Sequence, residues 1–499
     1  MIPAIGGEPV LLATNGLDPR FSPDGKWIAF WSGGRKGSPA LDADPLGAIF
    51  VIPAAGGEPK RVGASLPPGG YPVWSPDSKQ LLVYAGARTG ATTDADWWVV
   101  SLEGDVVRKT GAFASFRSAG FSLGLGSALA RVSSWVDDTV TFSAQKGDSR
   151  GIWRVRLKAG NGAVLGQPER LTLGTAQDID PSSISRNSLV FASLSKGMAI
   201  WSLPVEANKG KVTGELQRIT SGAMLEGTPS LSADGRMMAY GSTVTNHEDI
   251  WLKDLQTSKE TAVAKAPAAE WHPLISRDGS MIAYTALDPN LHGIFTVPAS
   301  GGKSKQVAPV SAWIFEWTPD NQHLLLHLKS GDPILKSIDL RSGVMADYLG
   351  VPGASLFQSK FSPDFQWLVL AAVFSSPAAG GPDSRLFVVK IENGSPAPRR
   401  DWILVSDEHG WADKPRWSPD GNTLYFVSDR DGFLCIWAQR LDPKTKHPVS
   451  NPFPIYHFHR SRLSATNVGS ALLEMDVARD KVVMNLGELT GNIWNLTHQ

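Results

Sequence analysis

Short apolar runs alternate along the chain with clusters of Gly, Pro, Asp and Ser. Typical runs are Trp27-Ile28-Ala29-Phe30, Leu81-Leu82-Val83-Tyr84, Met281-Ile282-Ala283-Tyr284 and Leu424-Tyr425-Phe426-Val427. They are too short for helices and rich in strand formers, so each predicts a β-strand. A phrase precedes them that returns seven times: Phe21-Ser22-Pro23-Asp24-Gly25, Trp74-Ser75-Pro76-Asp77, Leu231-Ser232-Ala233-Asp234-Gly235, Ile275-Ser276-Arg277-Asp278-Gly279, Trp317-Thr318-Pro319-Asp320, Phe361-Ser362-Pro363-Asp364 and Trp417-Ser418-Pro419-Asp420-Gly421. Pro presets φ for a tight turn, Asp can hydrogen-bond its own backbone, and Gly or Asn tolerates positive φ. The phrase therefore predicts a hairpin turn.

After a variable loop comes a third run with an aromatic at one slot, as in Ile152-Trp153, Ile200-Trp201, Ile250-Trp251, Ile294-Phe295, Ile436-Trp437 and Ile493-Trp494. Gly-Gly turns such as Gly56-Gly57 then lead to a short polar run such as Lys60-Arg61-Val62. Four antiparallel strands per unit describe one propeller blade. Weaker copies of the phrase near Trp135, Ile184 and Met475 raise the number of units to about ten, with onsets near 20, 73, 134, 180, 229, 272, 316, 359, 416 and 474. A period of roughly 40 to 60 residues indicates propeller blades or a solenoid.

These residues resemble TolB-type, WD40-like propeller repeats, whose hallmark is the strand-SPDG-strand hairpin with an Ile-Trp third strand. The resemblance implies an all-β β-propeller over nearly the whole chain and leaves function open. The C-terminal stretch, with Pro454 to His459, Ala478 to Glu488 and Gly491 to Trp494, resembles the extracytoplasmic propeller of some bacterial serine/threonine kinases. That implies an extracytoplasmic or periplasmic setting and a part in signalling. The last unit stops at its third strand, Ile493 to Leu496, while Ile5 to Leu12 read as the turn and fourth strand of a unit without a beginning. A single ring of about ten four-stranded blades spanning 1–499 is thus expected, with residues 1–12 completing the last blade and removing an exposed edge. Two smaller packed propellers are the alternative.

The 499 residues carry 48 basic and 48 acidic side chains, so no overall field draws the chain to nucleic acid or an anionic membrane. Gly (50) and Pro (35) are in excess, and 42% hydrophobic content with 18 Trp excludes wholesale disorder. The single cysteine, Cys435, can form no intramolecular disulfide and supplies no thiolate cluster. No stretch approaches the roughly 18 apolar residues of a membrane span, and Met1 to Ala13 lack the pattern of a signal peptide. A soluble monomer is expected, any export signal or tether lying outside this sequence.

Insertions at Ser32 to Gly47, Ala85 to Asp96, Phe374 to Ser384 and Gly111 to Ala130 are either binding loops or tolerated surface insertions. Blade-opening residues should line a channel mouth: Asp18, Tyr71, Asp178, Asp180, Glu226, Trp271, His272, Glu316, Trp411 and Asp413. Such carboxylates and aromatics could hold a peptide, a cationic group or a sugar, or could simply cap turns and fill gaps between blades. One Asp per phrase falls short of a calcium loop, and Asp429-Arg430-Asp431-Gly432 reads as a tight turn. His457 and His459 share a strand face, but zinc wants further ligands and none is evident nearby in sequence. No metal or cofactor is expected.

Gly120-Phe121-Ser122-Leu123-Gly124 lacks the α/β setting of a nucleophile elbow, Gly302-Lys303-Ser304 lacks the first Gly of a phosphate loop, and no kinase motif set is present. The expectation is a non-catalytic propeller that binds a protein, peptide or envelope glycan, as a sensor or interaction module. A channel-sited hydrolase or lyase, or a peptidase's gating propeller, is the alternative.

Overall fold

The phrase that repeats in sequence builds one hydrogen-bonded latch. Ser22 Oγ donates to Asp24 Oδ1 (2.5 Å) and accepts the Trp27 N–H (3.0 Å), while Asp24 also accepts the Lys26 N–H (3.1 Å). The same hydroxyl-to-carboxylate bond, at 2.6 Å, joins Ser75 to Asp77, Ser232 to Asp234, Ser276 to Asp278, Thr318 to Asp320, Ser362 to Asp364 and Ser418 to Asp420. The serine hydroxyls hold the carboxyls of Asp24, Asp77, Asp234 and Asp278 below the usual carboxylate range. The next residue takes positive φ: 71° at Gly25, 68° at Gly235, 72° at Gly279 and 68° at Gly421.

The computed structural model describes residues 10–497 except 33–46, 87, 90–91, 105, 124–129, 148, 159–161, 174–176, 186–187, 222–224, 244–247, 266–268, 288–291, 330–332, 377–380, 407–409, 460–461 and 470–471. The chain is all-β, and antiparallel sheets of mostly four strands follow one another. In the first, Leu17–Phe21, Trp27–Ser32, Ala48–Pro53 and Lys60–Val62 pair in chain order. No helix among the described residues is long and apolar enough to cross a membrane.

Tryptophans opening the phrase bolt one sheet to the one before it. The indole N–H of Trp74 donates to the Arg20 carbonyl (2.8 Å), that of Trp317 to Leu274 (2.9 Å) and that of Trp417 to Lys360 (3.0 Å). In each case the acceptor is the residue just before the preceding phrase. A buried indole needs such a partner, so the apolar body fills the space between sheets while the N–H fixes their stagger.

The chain divides into two compact units. The first holds Met1–Lys36, Leu41–Ser195 and Thr490–Gln499, and the second holds Gly37–Ala40 and Lys196–Leu489. In the first unit the leading strands are Leu17–Phe21, Gly69–Trp74, Arg131–Val136 and Gln177–Ser185, each packed on the next. In the second they are Glu226–Leu231, Glu270–Ile275, Ala312–Trp317, Ala354–Phe361, Ala412–Trp417 and Met475–Val477. Each of these six touches its successor, and the last touches the first. This circuit closes after six members within the second unit.

Two long strands contribute residues to both units. Ser188–Glu206 and Lys481–Thr497 pair with each other, and each begins in one unit and ends in the other. Within the first unit, residues 490–497 stand third in the sheet led by Gln177–Ser185, and Ser188 Oγ donates to Asn495 Oδ1 (2.9 Å). Within the second, residues 196–206 stand third in the sheet led by Met475–Val477, with Val205 N–H bonded to the Asp480 carbonyl (3.0 Å). Ile200-Trp201 and Ile493-Trp494 have thus exchanged the sheets that their sequence order suggests. The cause is local: no turn interrupts residues 188–206, so the strand continues straight where other units reverse. Residues 1–9, most of the segment expected to complete the last blade, lie outside the described residues, and Val10 to Leu12 form no strand.

The insertion at Gly111 to Ala130 is described up to Leu123 and is structural there. It forms a helix, Ala112–Ser118, whose Phe113 and Phe116 are buried against Trp97, Phe121 and Phe142. The Asp96 carboxylate anchors it by accepting the Phe113 N–H (3.2 Å). Of the other three insertions, residues 33–46, 87, 90–91 and 377–380 lie outside the described residues.

At Gly25 an added Cβ would meet nothing within 4 Å. Gly25→Ala should therefore cost only its backbone strain, about 1 kcal/mol. Equilibrium urea unfolding measures this directly.

Candidate functional site

A bulge shapes the inner face of the leading strands. Pairing with the second strand slips between Leu17 and Arg20, Gly70 and Val73, Ile179 and Ser182, Gly227 and Ser230, Trp271 and Leu274, Phe357 and Lys360, and Asp413 and Arg416. Within each slip sits a non-glycine residue of positive φ: Asp18 (49°), Tyr71 (58°), Asp180 (49°), Thr228 (51°), His272 (50°), Gln358 (53°) and Lys414 (55°). Such residues are strained by about 1–3 kcal/mol each and persist only where their surroundings fix them. A bulge redirects a side chain, and four of these seven residues meet inside the second unit.

There the six leading strands surround a channel lined by Thr228, His272, Phe315, Gln358, Arg416 and Glu474, one from each strand or its first flank. This is a β-propeller.

The channel is occupied by its own charges. Arg416 Nη2 lies 2.7 Å from Glu474 Oε2, Lys414 Nζ lies 3.2 Å from Glu474 Oε1, and Gln358 Nε2 donates to the same oxygen at 2.7 Å. Arg416 Nε reaches Asp476 at 3.8 Å, Lys414 reaches Asp413 at 3.7 Å, and Lys360 reaches Glu316 at 4.0 Å. Asp476 in turn accepts the Leu231 N–H (2.8 Å), tying the closing strand to the first. What remains is a cavity of about 30 Å³, enough for a water or two.

Burial would raise the Glu474 carboxyl, but Lys414 and Arg416 outweigh it and hold the group at about 2. Burial pushes His272 down to about 4, with Lys414 and Lys329 adding to it against the pull of Glu474. The imidazole is thus neutral at pH 7. Burial also raises Asp413, against Lys414, and lowers Lys360, against Glu316.

The first unit gathers the equivalent positions differently. Arg131 stacks over the Tyr71 ring (4.3 Å), its Nη2 donates to Tyr71 Oη (3.1 Å) and its Nη1 lies 3.6 Å from Asp180. Arg20 pairs with Asp18 at 3.0 Å. Burial raises the Asp18 carboxyl, offset by Arg20 and Arg131. Here the charged side chains stay open to water over the buried Tyr71: Arg131 is 32% exposed, Arg20 40% and Asp180 55%.

Of the residues singled out in sequence, Asp18, Tyr71 and Asp180 share this rim, and His272, Glu316 and Asp413 belong to the channel network of the second unit. Asp178 and Glu226 are buried at the starts of their strands, Glu226 accepting from the Ser221 hydroxyl (3.0 Å). Trp271 is half-buried and is not among the channel-lining residues. Trp411 is a core residue, packed among Tyr425, Ile436 and Met475, its backbone N–H bonded to Asp429 (2.7 Å).

Sequence reasoning missed Arg20, Lys360, Lys414, Arg416, Glu474 and Asp476. For four of them the signal is positional: Arg20, Lys360, Arg416 and Asp476, like Glu316, occupy the penultimate position of a leading strand.

No family model and no curated protein matches the chain. Among solved structures it is similar to the putative TolB of Agrobacterium tumefaciens, with 16% identity, 52% of this chain and 89% of that one covered, and a TM-score of 0.41. It is similar also to TolB of Acinetobacter baumannii (14% identity, 70% and 80% covered, TM-score 0.38) and to an oligogalacturonate lyase of Vibrio parahaemolyticus (13%, 62% and 88%, 0.35). The fold assignment rests on the strand pairing itself.

Removing one partner of a buried ion network strands the other charge, whereas replacing both is close to neutral. Arg416→Ala should destabilise the protein by about 3–5 kcal/mol, and Arg416→Met with Glu474→Gln by much less; denaturant unfolding of the two variants checks this. His272 and Glu474 both have folded values below their unfolded ones, about 6.5 and 4.3. The stability they contribute is present above those unfolded values and is lost as pH falls toward about 4 for His272 and about 2 for Glu474. Thermal melts should therefore fall from pH 6.5 to 4, and His272→Thr should flatten that stretch.

Proposed function

We propose that the protein is a non-catalytic binding propeller that receives a protein or peptide segment on the rim formed by Arg20, Tyr71, Arg131, Asp18 and Asp180. The observation that carries this reading is the contrast between the two clusters. Among the described residues of the second unit the channel carboxylates are engaged by a cation or a backbone N–H, and the remaining space is only about 30 Å³. A general acid or base needs access to a reacting atom, which such packing denies. In the first unit the charges are partly exposed and of both signs, suited to the backbone and side chains of a peptide.

An envelope glycan is the other ligand this rim would suit, with the part-exposed guanidiniums of Arg20 and Arg131 and the carboxylate of Asp180 supplying hydrogen bonds. An extracytoplasmic setting and a place in a larger signalling protein follow from the resemblance of the C-terminal stretch alone. The enzyme alternative has no specific observation in its favour.

The test is titration of the purified chain with a panel of extended peptides and envelope-derived oligosaccharides, followed by intrinsic tryptophan fluorescence and calorimetry. Binding of a peptide that weakens about tenfold or more in Arg131→Ala, with unfolding unchanged, supports the reading, since loss of a charged hydrogen-bond partner at an interface costs a few kcal/mol. Turnover of any panel member, or binding indifferent to both Arg131→Ala and Asp180→Ala, would overturn it.

A further inference from the structure

The fifth sheet of the second unit carries a cluster that belongs to neither rim nor channel. Its strands Ala412–Trp417, Thr423–Ser428, Cys435–Arg440 and Phe453–Tyr456 pair in order. The register sets Ile436 opposite Tyr456, which brings Cys435 and His457, the next residue on each side, to the same end of the ladder. His459 follows two residues on, and the turn between the second and third strands supplies Asp431.

Asp431 Oδ2 lies 2.9 Å from His457 Nδ1 and 2.9 Å from His459 Nε2. One ligand atom from each of Asp431, Cys435, His457 and His459 falls within 4.8 Å of all the others. The surroundings fix these donors. Asp431 Oδ1 accepts the Phe433 N–H (3.2 Å), and Cys435 Sγ accepts the Phe458 N–H (3.3 Å). Phe433 lies against the His459 ring (4.3 Å between centroids), and Trp437 meets the His457 ring edge-on (5.7 Å).

We infer that these four side chains form a tetrahedral site for a zinc-class divalent cation, held by Asp431, Cys435, His457 and His459. The donor set carries the choice of metal. Imidazole and thiolate suit zinc, whereas calcium and magnesium require a shell of oxygens. Zinc bonds of about 2.0–2.3 Å place tetrahedral ligands roughly 3.3–3.8 Å apart. The cluster must therefore close by about 1 Å, within reach of rotations of two imidazoles that are 41% and 45% exposed. On binding, the Cys435 thiol gives its proton to solvent and the sulfur donates to the metal. Four protein ligands leave no open position, so the role is structural: the ion clips the Asp429–Gly432 turn to the segment that leaves the fourth strand. Sequence reasoning stopped at the two histidines because the third and fourth donors lie more than twenty residues upstream.

The test uses the full chain without a histidine tag, stripped with chelator and then titrated with Zn²⁺ by calorimetry and with Co²⁺ by absorption. One equivalent per chain is expected, with the intense visible bands of tetrahedral cobalt, a sulfur-to-cobalt band in the near ultraviolet and a raised melting temperature. Cys435→Ser should abolish the sulfur band. Should that buried substitution unfold the chain, His459→Ala, on an exposed ring, should weaken uptake about tenfold or more with the fold intact. Absence of stoichiometric uptake, cobalt spectra of an octahedral oxygen site, or uptake unchanged in His457→Ala/His459→Ala would overturn the assignment.

Discussion

Seven of the ten leading strands depend on one backbone constraint: a residue between the second and fifth positions must adopt positive φ so that the strand bulges and then resumes its ladder. Glycine would meet this at little cost, yet the chain uses Asp18, Tyr71, Asp180, Thr228, His272, Gln358 and Lys414. The strain is tolerated because these side chains are then held on the inner face, where tryptophan bolts and turn latches keep successive sheets in a fixed stagger. A regular strand would alternate its side chains strictly between the two faces. The bulge breaks that alternation and brings neighbouring residues of one strand to the same side.

The same device yields two chemical outcomes. In the second unit the inward cations Lys360, Lys414 and Arg416 pair with the carboxylates of Glu316, Asp413, Glu474 and Asp476, leaving a packed, ion-paired plug. Ion networks of this kind add little net stability over an apolar core. Their effect is to fix which strand stands beside which, because a slipped neighbour would strand a charge. In the first unit fewer strands supply such groups, and the guanidiniums of Arg20 and Arg131 keep contact with solvent.

Much of the fold was legible. The Ser-Pro-Asp-Gly phrase has a physical role at every copy, and the runs around it are the strands that were expected. Sheet membership at Ile200-Trp201 and Ile493-Trp494 was not legible, because both carry the same third-strand signature and only the missing turn within residues 188–206 separates them. The candidate site was half legible. Blade-opening polar residues such as His272 and Asp413 were visible against a proline-rich turn, whereas Arg416 and Glu474 read as ordinary strand and loop residues until the bulge defined their direction. Trp411 was misleading for the converse reason, since an aromatic at a strand start serves a core as readily as a ligand.

The exchange of third strands also bears on how the chain folds. The sixth sheet of the second unit needs residues 196–206 beside residues 481–489, partners almost three hundred positions apart. Five sheets can form from local hairpins as they leave the ribosome, but the circuit stays open until that distant pair meets. Long-range closure of this kind is slow, so an intermediate with paired hairpins and an unsealed ring should dominate the time course. Its exposed strand edge makes it the species on which a chaperone, or self-association, would act.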